Sequence, residues 1–155
     1  MSPTAQRADS SSPRNRCGTL LVLSALLLAV MLTCVALAVD IGYLALVRTH
    51  LQAAADAASL AASQDLPNVE AVWLAAEHCV IENHPHGLVN PADVAVGHWN
   101  ADSLTFVPGA APVNAVEVTV RRSVASNNLV TLFFAPVRGI TETDVVASAI
   151  AVAPK

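Results

Sequence analysis

CGTLLVLSALLLAVMLTCVALAV, residues 17–39, runs directly into DIGYLALVRTHLQAAADAASLAASQDL, residues 40–66, and the reading of this stretch decides how the chain is built. The 23 residues from Cys17 to Val39 carry no charge. As a helix rising about 1.5 Å per residue they reach about 34 Å, enough to cross a hydrocarbon core of roughly 30 Å. Only a helix satisfies their backbone polar groups in lipid. Thirteen Leu, Val or Met residues lie between Leu20 and Val39, each favouring insertion by about a few tenths of a kcal/mol. Asp40 opposes burial at mid-membrane by about 2.5–3.5 kcal/mol and so marks the outer boundary.

Two other fates compete for this segment. Ala36-Leu37-Ala38 has the small-x-small form of a signal-peptide cleavage site behind an Arg-containing leader. Cys34 offers a lipoprotein site, but Thr33 precedes it and the apolar run continues past it. A retained anchor fits best, because the helical pattern goes on beyond the supposed cut.

Charge sets the expected orientation. Residues 1–39 hold Arg7, Arg14 and Arg16 against Asp9, a net of +2, whereas residues 40–155 hold five basic and eleven acidic residues, a net of −6. The positive flank is expected in the cytoplasm and the remainder exported. An acidic exported part argues against nucleic-acid binding, which needs clustered Lys and Arg. The expected organisation is a basic cytoplasmic stub (1–16), a transmembrane helix (17–39), an amphipathic helix (40–66) and a small exported domain (67–155).

Beyond Asp40 the apolar positions Leu44, Val47, Leu51, Ala54, Ala58 and Ala61 follow a 3-4-3-4-3 spacing, which places them on one side of a helix. Arg48, Gln52, Asp56, Ser59 and Ser63 read as the opposite side. The seam packs either on the chain's own domain or on a neighbouring helix, and Pro67 ends the pattern. Residues 68–83 form a second helix with Asn68 as N-cap and Val72, Ala75, Ala76, Cys79 and Val80 at core spacing.

The period then changes to two. Val116, Val118 and Val120 alternate with Glu117, Thr119 and Arg121 as a half-buried strand. Weaker strands are read at 93–98, 104–107, 129–134 and 144–152. The last puts Val146, Ile150 and Val152 on one side and Ala147, Ala149 and Ala151 on the other. The fold class is α+β, with two helices followed by a mostly antiparallel sheet of about five strands.

Little chemistry suggests itself. His78, Cys79, His84 and His86 lack the paired spacing of a zinc site, and there is neither a recognisable nucleophile-base signature nor a Gly-rich phosphate loop. No cofactor, metal, catalytic residue or small-molecule substrate is expected. Cys79 reads as a small buried hydrophobe.

Residues 35–62, VALAVDIGYLALVRTHLQAAADAASLAA, resemble the N-terminal signature of TadE/TadG-like Flp (tight-adherence) pilus-assembly proteins. The matching polar positions are Asp40, Arg48, Gln52 and Asp56, set among Val39, Gly42, Tyr43, Leu51, Ala54, Ala55, Ala57, Ala58, Leu60 and Ala61. Downstream, Gly97-His98-Trp99, the N-A-V-x-V-T-V-R-R run at 114–122 and Leu132-Phe133-Phe134-Ala135 are similar to the exported part of TadG-like proteins. Where pilin-like relatives have a Glu five residues after the processing-site Gly, Leu23 follows Gly18 here, and no D-x-S-x-S metal motif of the longer relatives is present.

The resemblance implies a bacterial inner-membrane, single-pass structural component of Flp pilus assembly or a related secretion apparatus in the cell envelope. It would work through helix packing against other apparatus proteins or copies of itself. The alternative is an envelope-anchored or secreted binding domain unrelated to pilus assembly.

Overall fold

The first helix, α1, is a single uninterrupted element from Arg16 to Ser63 in the computed structural model, which describes residues 16–83, 88–90, 93–123, 128–135, 139 and 142–153. The chain divides into two units, residues 1–36 and 37–155, and α1 contributes to both.

In the first unit α1 is exposed along its apolar length, with Leu20, Leu21, Leu23, Leu26, Leu27, Leu28, Met31 and Leu32 all open. Two of its polar side chains are satisfied within the helix. Ser24 Oγ donates to the Leu21 carbonyl at 2.9 Å and Thr33 Oγ1 to the Ala29 carbonyl at 2.8 Å, as an apolar surrounding requires. Among the described residues this is the one helix long and apolar enough to cross a membrane.

The second unit is α+β. Among the described residues the rest of α1 is followed by α2 (Val69–Asn83) and six strands: β1 (Val94–Asn100), β2 (Thr105–Pro108), β3 (Ala115–Arg122), β4 (Val130–Thr131), β5 (Glu142–Thr143) and β6 (Val145–Val152). Four strands form one sheet in the order β2-β1-β3-β6, every pair antiparallel, and β4 and β5 form a second antiparallel pair.

α1 ends three residues before Leu66 in a tightened turn, where Gln64 N–H donates to Ala61 O and Asp65 N–H to Ala62 O, both at 3.2 Å. Asn68 caps α2 as expected, its Oδ1 accepting the Ala71 N–H at 3.3 Å.

One apolar cluster holds the unit together. It joins Val47, Leu51, Ala55, Ala58 and Ala62 of α1 to Val72, Ala76 and Val80 of α2 and to Val116, Val118, Val120 and Ala147 of the sheet. The register puts Val116, Val118 and Val120 opposite Ala151, Ala149 and Ala147. The inward face of β6 is therefore its small face, while Val146, Ile150 and Val152 stand outside. Asp93, immediately before β1, is tied to Arg121 of β3 by an ion pair, and its other oxygen accepts the Asn90 N–H at 3.0 Å.

Two expectations are corrected. Ser59 and Ser63 are buried rather than on a polar side. A true helix drifts by about 20° per heptad from a strict 3.5-residue seam, so the inward stripe migrates toward 55, 59, 62 and 63. Each serine satisfies its own donor, Ser59 Oγ on Asp56 O at 3.0 Å and Ser63 Oγ on Leu60 O at 2.8 Å, and so packs as a small residue. The strand read at 129–134 shrinks to Val130–Thr131, because the chain from Leu132 to Ala135 bends. The reason lies in what its amides bind.

Candidate functional site

Asp40 begins the buried stripe of α1. It is followed at intervals of four, three and four by Leu44, Val47 and Leu51, so it shares their side of the helix. A carboxylate there is costly unless hydrogen-bonded. Asp40 is only 5% exposed, and it is met by three consecutive backbone amides. Oδ1 accepts from Phe133 N–H at 2.9 Å and from Phe134 N–H at 3.3 Å. Oδ2 accepts from Phe134 N–H at 3.1 Å and from Ala135 N–H at 2.7 Å.

Successive N–H groups converging on one point make an anion-binding concavity. An extended strand, which sends alternate amides to opposite edges, has no such convergence. The bend at Leu132–Ala135 is thus the conformation that satisfies Asp40. Tyr43, one turn on, packs edge-to-face on Phe133 with ring centroids 5.4 Å apart and an interplanar angle of 68°. The arrangement clamps the loop onto α1 through a carboxylate, three amides and an aromatic pair.

The other sequence-predicted positions fall into two groups. Val47, Leu51, Ala54 and Ala58 are buried within their own unit, with Leu44 and Ala61 partly so. Arg48 and Asp56 are exposed, and Gln52 is half-buried. Gln52 Nε2 bridges Asp56 Oδ1 and the Ser148 carbonyl of β6, both at 3.0 Å, fastening the sheet edge to α1.

The downstream motif residues form a second bracing point. β1 runs past the start of β3, because Gly97 is already opposite Ala115. The side-chain amide of Asn114 stands in for the missing strand backbone. Its Oδ1 accepts Trp99 N–H at 2.7 Å and its Nδ2 donates to Trp99 O at 3.1 Å. The Asn114 backbone continues the tie, its N–H donating to Gly97 O at 3.0 Å and its carbonyl accepting Ala153 N–H at 2.7 Å.

Residues 45–151, more than half of the chain, match the family of Tad-like Flp pilus-assembly proteins. The chain belongs to that family. Residues 18–65 also match the TadE/G-like family of Flp pilus assembly. No curated protein and no solved structure matches the chain.

As a Tad-like Flp pilus-assembly protein it is a structural component of that apparatus, and its resemblance to TadE/TadG-like proteins is confirmed. The two matches meet on α1. The TadE/G-like one takes in the apolar run, Asp40 and the end of the helix, and the Tad-like one extends from Ala45 to β6. Asp40 lies in the first matched segment and Phe133–Ala135 in the second, so the clamp links them. Sequence reasoning had both halves among its motif residues without joining them. The available signal was that Asp40 is in phase with the buried stripe and must find donors.

Among the described residues no group of His, Cys, Asp and Glu could hold a metal ion. His78 is exposed on α2 beside Glu82 at 3.6 Å, Cys79 is half-buried with Asn83 Nδ2 3.4 Å from its sulfur, and His84 and His86 lie outside the described residues.

Proposed function

We propose that this Tad-like protein is a non-catalytic, single-pass component of the inner (cytoplasmic) membrane, with residues 1–16 in the cytoplasm and residues 40–155 exported. In this reading it serves an Flp pilus or a related secretion apparatus by contacting other apparatus proteins or further copies of itself. The observation that carries it is the junction at Asp40. The first charge after 23 uncharged residues is also the residue that the exported fold grips with three amides. The fold of the second unit thus takes hold of the chain at the very residue where the uncharged run ends. The +2 flank and the −6 remainder support the orientation.

The exported unit has exposed apolar side chains for protein contacts, among them Leu74 and Ile81 on α2. Topology is tested by reporter fusions after Lys155. An alkaline phosphatase placed there is active and a cytoplasmic fluorescent reporter dark; the reverse pattern sinks the orientation. Photo-crosslinkers at Leu74 and Ile81, in cells that assemble the apparatus, then trap apparatus proteins or a second copy of the chain. A lack of any adduct at either position, with the fusion correctly placed, removes these faces from the contact surface.

A further inference from the structure

Two of the three phenylalanines in the chain are adjacent and open to solvent, Phe133 at 66% and Phe134 at 48% exposure. Their place is fixed by the clamp, because their amides sit 2.9–3.3 Å from the Asp40 carboxylate. Within the same unit the neighbours of Asp40 on α1 are also exposed and apolar, namely Leu37, Val39 and Ile41. Tyr43, half-buried, carries the edge of Phe133.

We propose that the Phe133–Phe134 loop rests in the outer interfacial layer of the bilayer, giving the exported unit a second contact with lipid beside its anchor. The proposal deepens the membrane reading above and depends on it. If the hydrocarbon ends at Asp40, the loop lies within about 5 Å of that boundary, because a side-chain-to-amide hydrogen bond ties it there. The interfacial region on each side is about 5–7.5 Å thick, from roughly 40–45 Å in all less a core of about 30 Å, so the backbone that carries both rings falls inside it. This layer accepts aromatic side chains. The clamp also explains how a carboxylate tolerates the position: three amide dipoles take the place of water around it. A large exposed aromatic pair is unusual on a surface meant only for water; against lipid it is not.

The test uses the full chain in phosphatidylcholine vesicles. Trp73 and Trp99 are replaced by Phe, and a single Trp is installed in turn at Phe133, Phe134, Leu28 or Leu60. Leu60, twenty residues beyond Asp40, stands about 30 Å further along α1 and serves as the wet reference. Phe133→Trp and Phe134→Trp are expected to emit to the blue of Leu60→Trp. They lose intensity to lipids brominated near the headgroup end of the acyl chain and are shielded from aqueous iodide, while Leu28→Trp is quenched by lipids brominated near the chain end.

If Leu28→Trp is quenched but Phe133→Trp and Phe134→Trp are as iodide-accessible as Leu60→Trp, the loop proposal falls and the anchor stands. If Leu28→Trp is itself accessible to iodide, both fall. Fluorine NMR of fluorophenylalanine-labelled chain with native tryptophans, in nanodiscs, gives the same answer without disturbing the core. Two of three resonances are expected to broaden with a lipid-soluble paramagnetic agent, and broadening only by a water-soluble one overturns the proposal.

Discussion

The carboxylate of Asp40 and the amide of Ala135 meet at 2.7 Å across a sequence separation of 95 residues. With the Phe133 and Phe134 amides beside them, they make the first polar position after the apolar run a structural one.

Replacing Asp40 by Ala therefore leaves three amides without their acceptor. Each orphaned donor costs about 1–3 kcal/mol when buried. This loop is open enough for water to recover part of that, so the expected total is about 2–4 kcal/mol. Asp40→Asn is expected to be nearly as damaging, because its NH2 group confronts an amide donor where an oxygen had accepted one. Hydrogen exchange of full chain in detergent checks this: the amides of 133–135 lose protection selectively in both variants. Unchanged protection would mean that the loop holds its bend without Asp40.

Asn114 is expected to be more sensitive to charge than to size. Asn114→Ala removes two side-chain bonds to Trp99, at about 1–2 kcal/mol. Asn114→Asp keeps the acceptor for Trp99 N–H but turns a carboxylate oxygen toward Trp99 O, so it is expected to be the worse of the two. Thermal unfolding followed by tryptophan fluorescence ranks them. Asp equal to Asn would show that the Nδ2 bond contributes nothing.

Gly97 is required by proximity. A Cβ built there lies 2.3 Å from Val107 O and 2.9 Å from Pro108 Cα, both on the backbone of β2, which faces Gly97 through Pro108. Neither atom moves without opening the β1–β2 pair. Gly97→Ala is expected to cost about 1–3 kcal/mol and to expose the β2 amides first in hydrogen exchange, with β3 and β6 still protected. Loss of protection spread evenly over the sheet would point to global instability instead.

Sequence made some of this architecture legible and hid the rest for identifiable reasons. The apolar helix, the Asn68 cap and the alternation of Val116, Val118 and Val120 are local signals, and the structure has them where the pattern placed them. Ser59 and Ser63 are polar by type but inward by helical phase, and a serine that bonds to its own turn behaves as a small core residue. The strand read to Phe134 stopped at Thr131 because a carboxylate more than ninety residues upstream claims its amides. No periodicity within the loop encodes that demand. It is written on α1, in the phase of Asp40.

Ala58 and Asp56 separate packing from surface polarity on the same helix. Ala58 is fully buried in the cluster that joins α1, α2 and the sheet, whereas Asp56 is exposed and accepts only the Gln52 amide among the hydrogen bonds described for its side chain. Ala58→Leu adds three carbons where there is no room, with an expected cost of about 1–3 kcal/mol. Asp56→Asn keeps an acceptor for Gln52, whose second bond to Ser148 O is untouched, so a loss under about 0.5 kcal/mol is expected. Protease resistance and thermal unfolding of the membrane-extracted variants decide between them. Wild-type resistance in Ala58→Leu would mean that the core has slack which the burial of that position does not suggest. A large loss in Asp56→Asn would mean instead that its carboxylate serves a partner outside this chain.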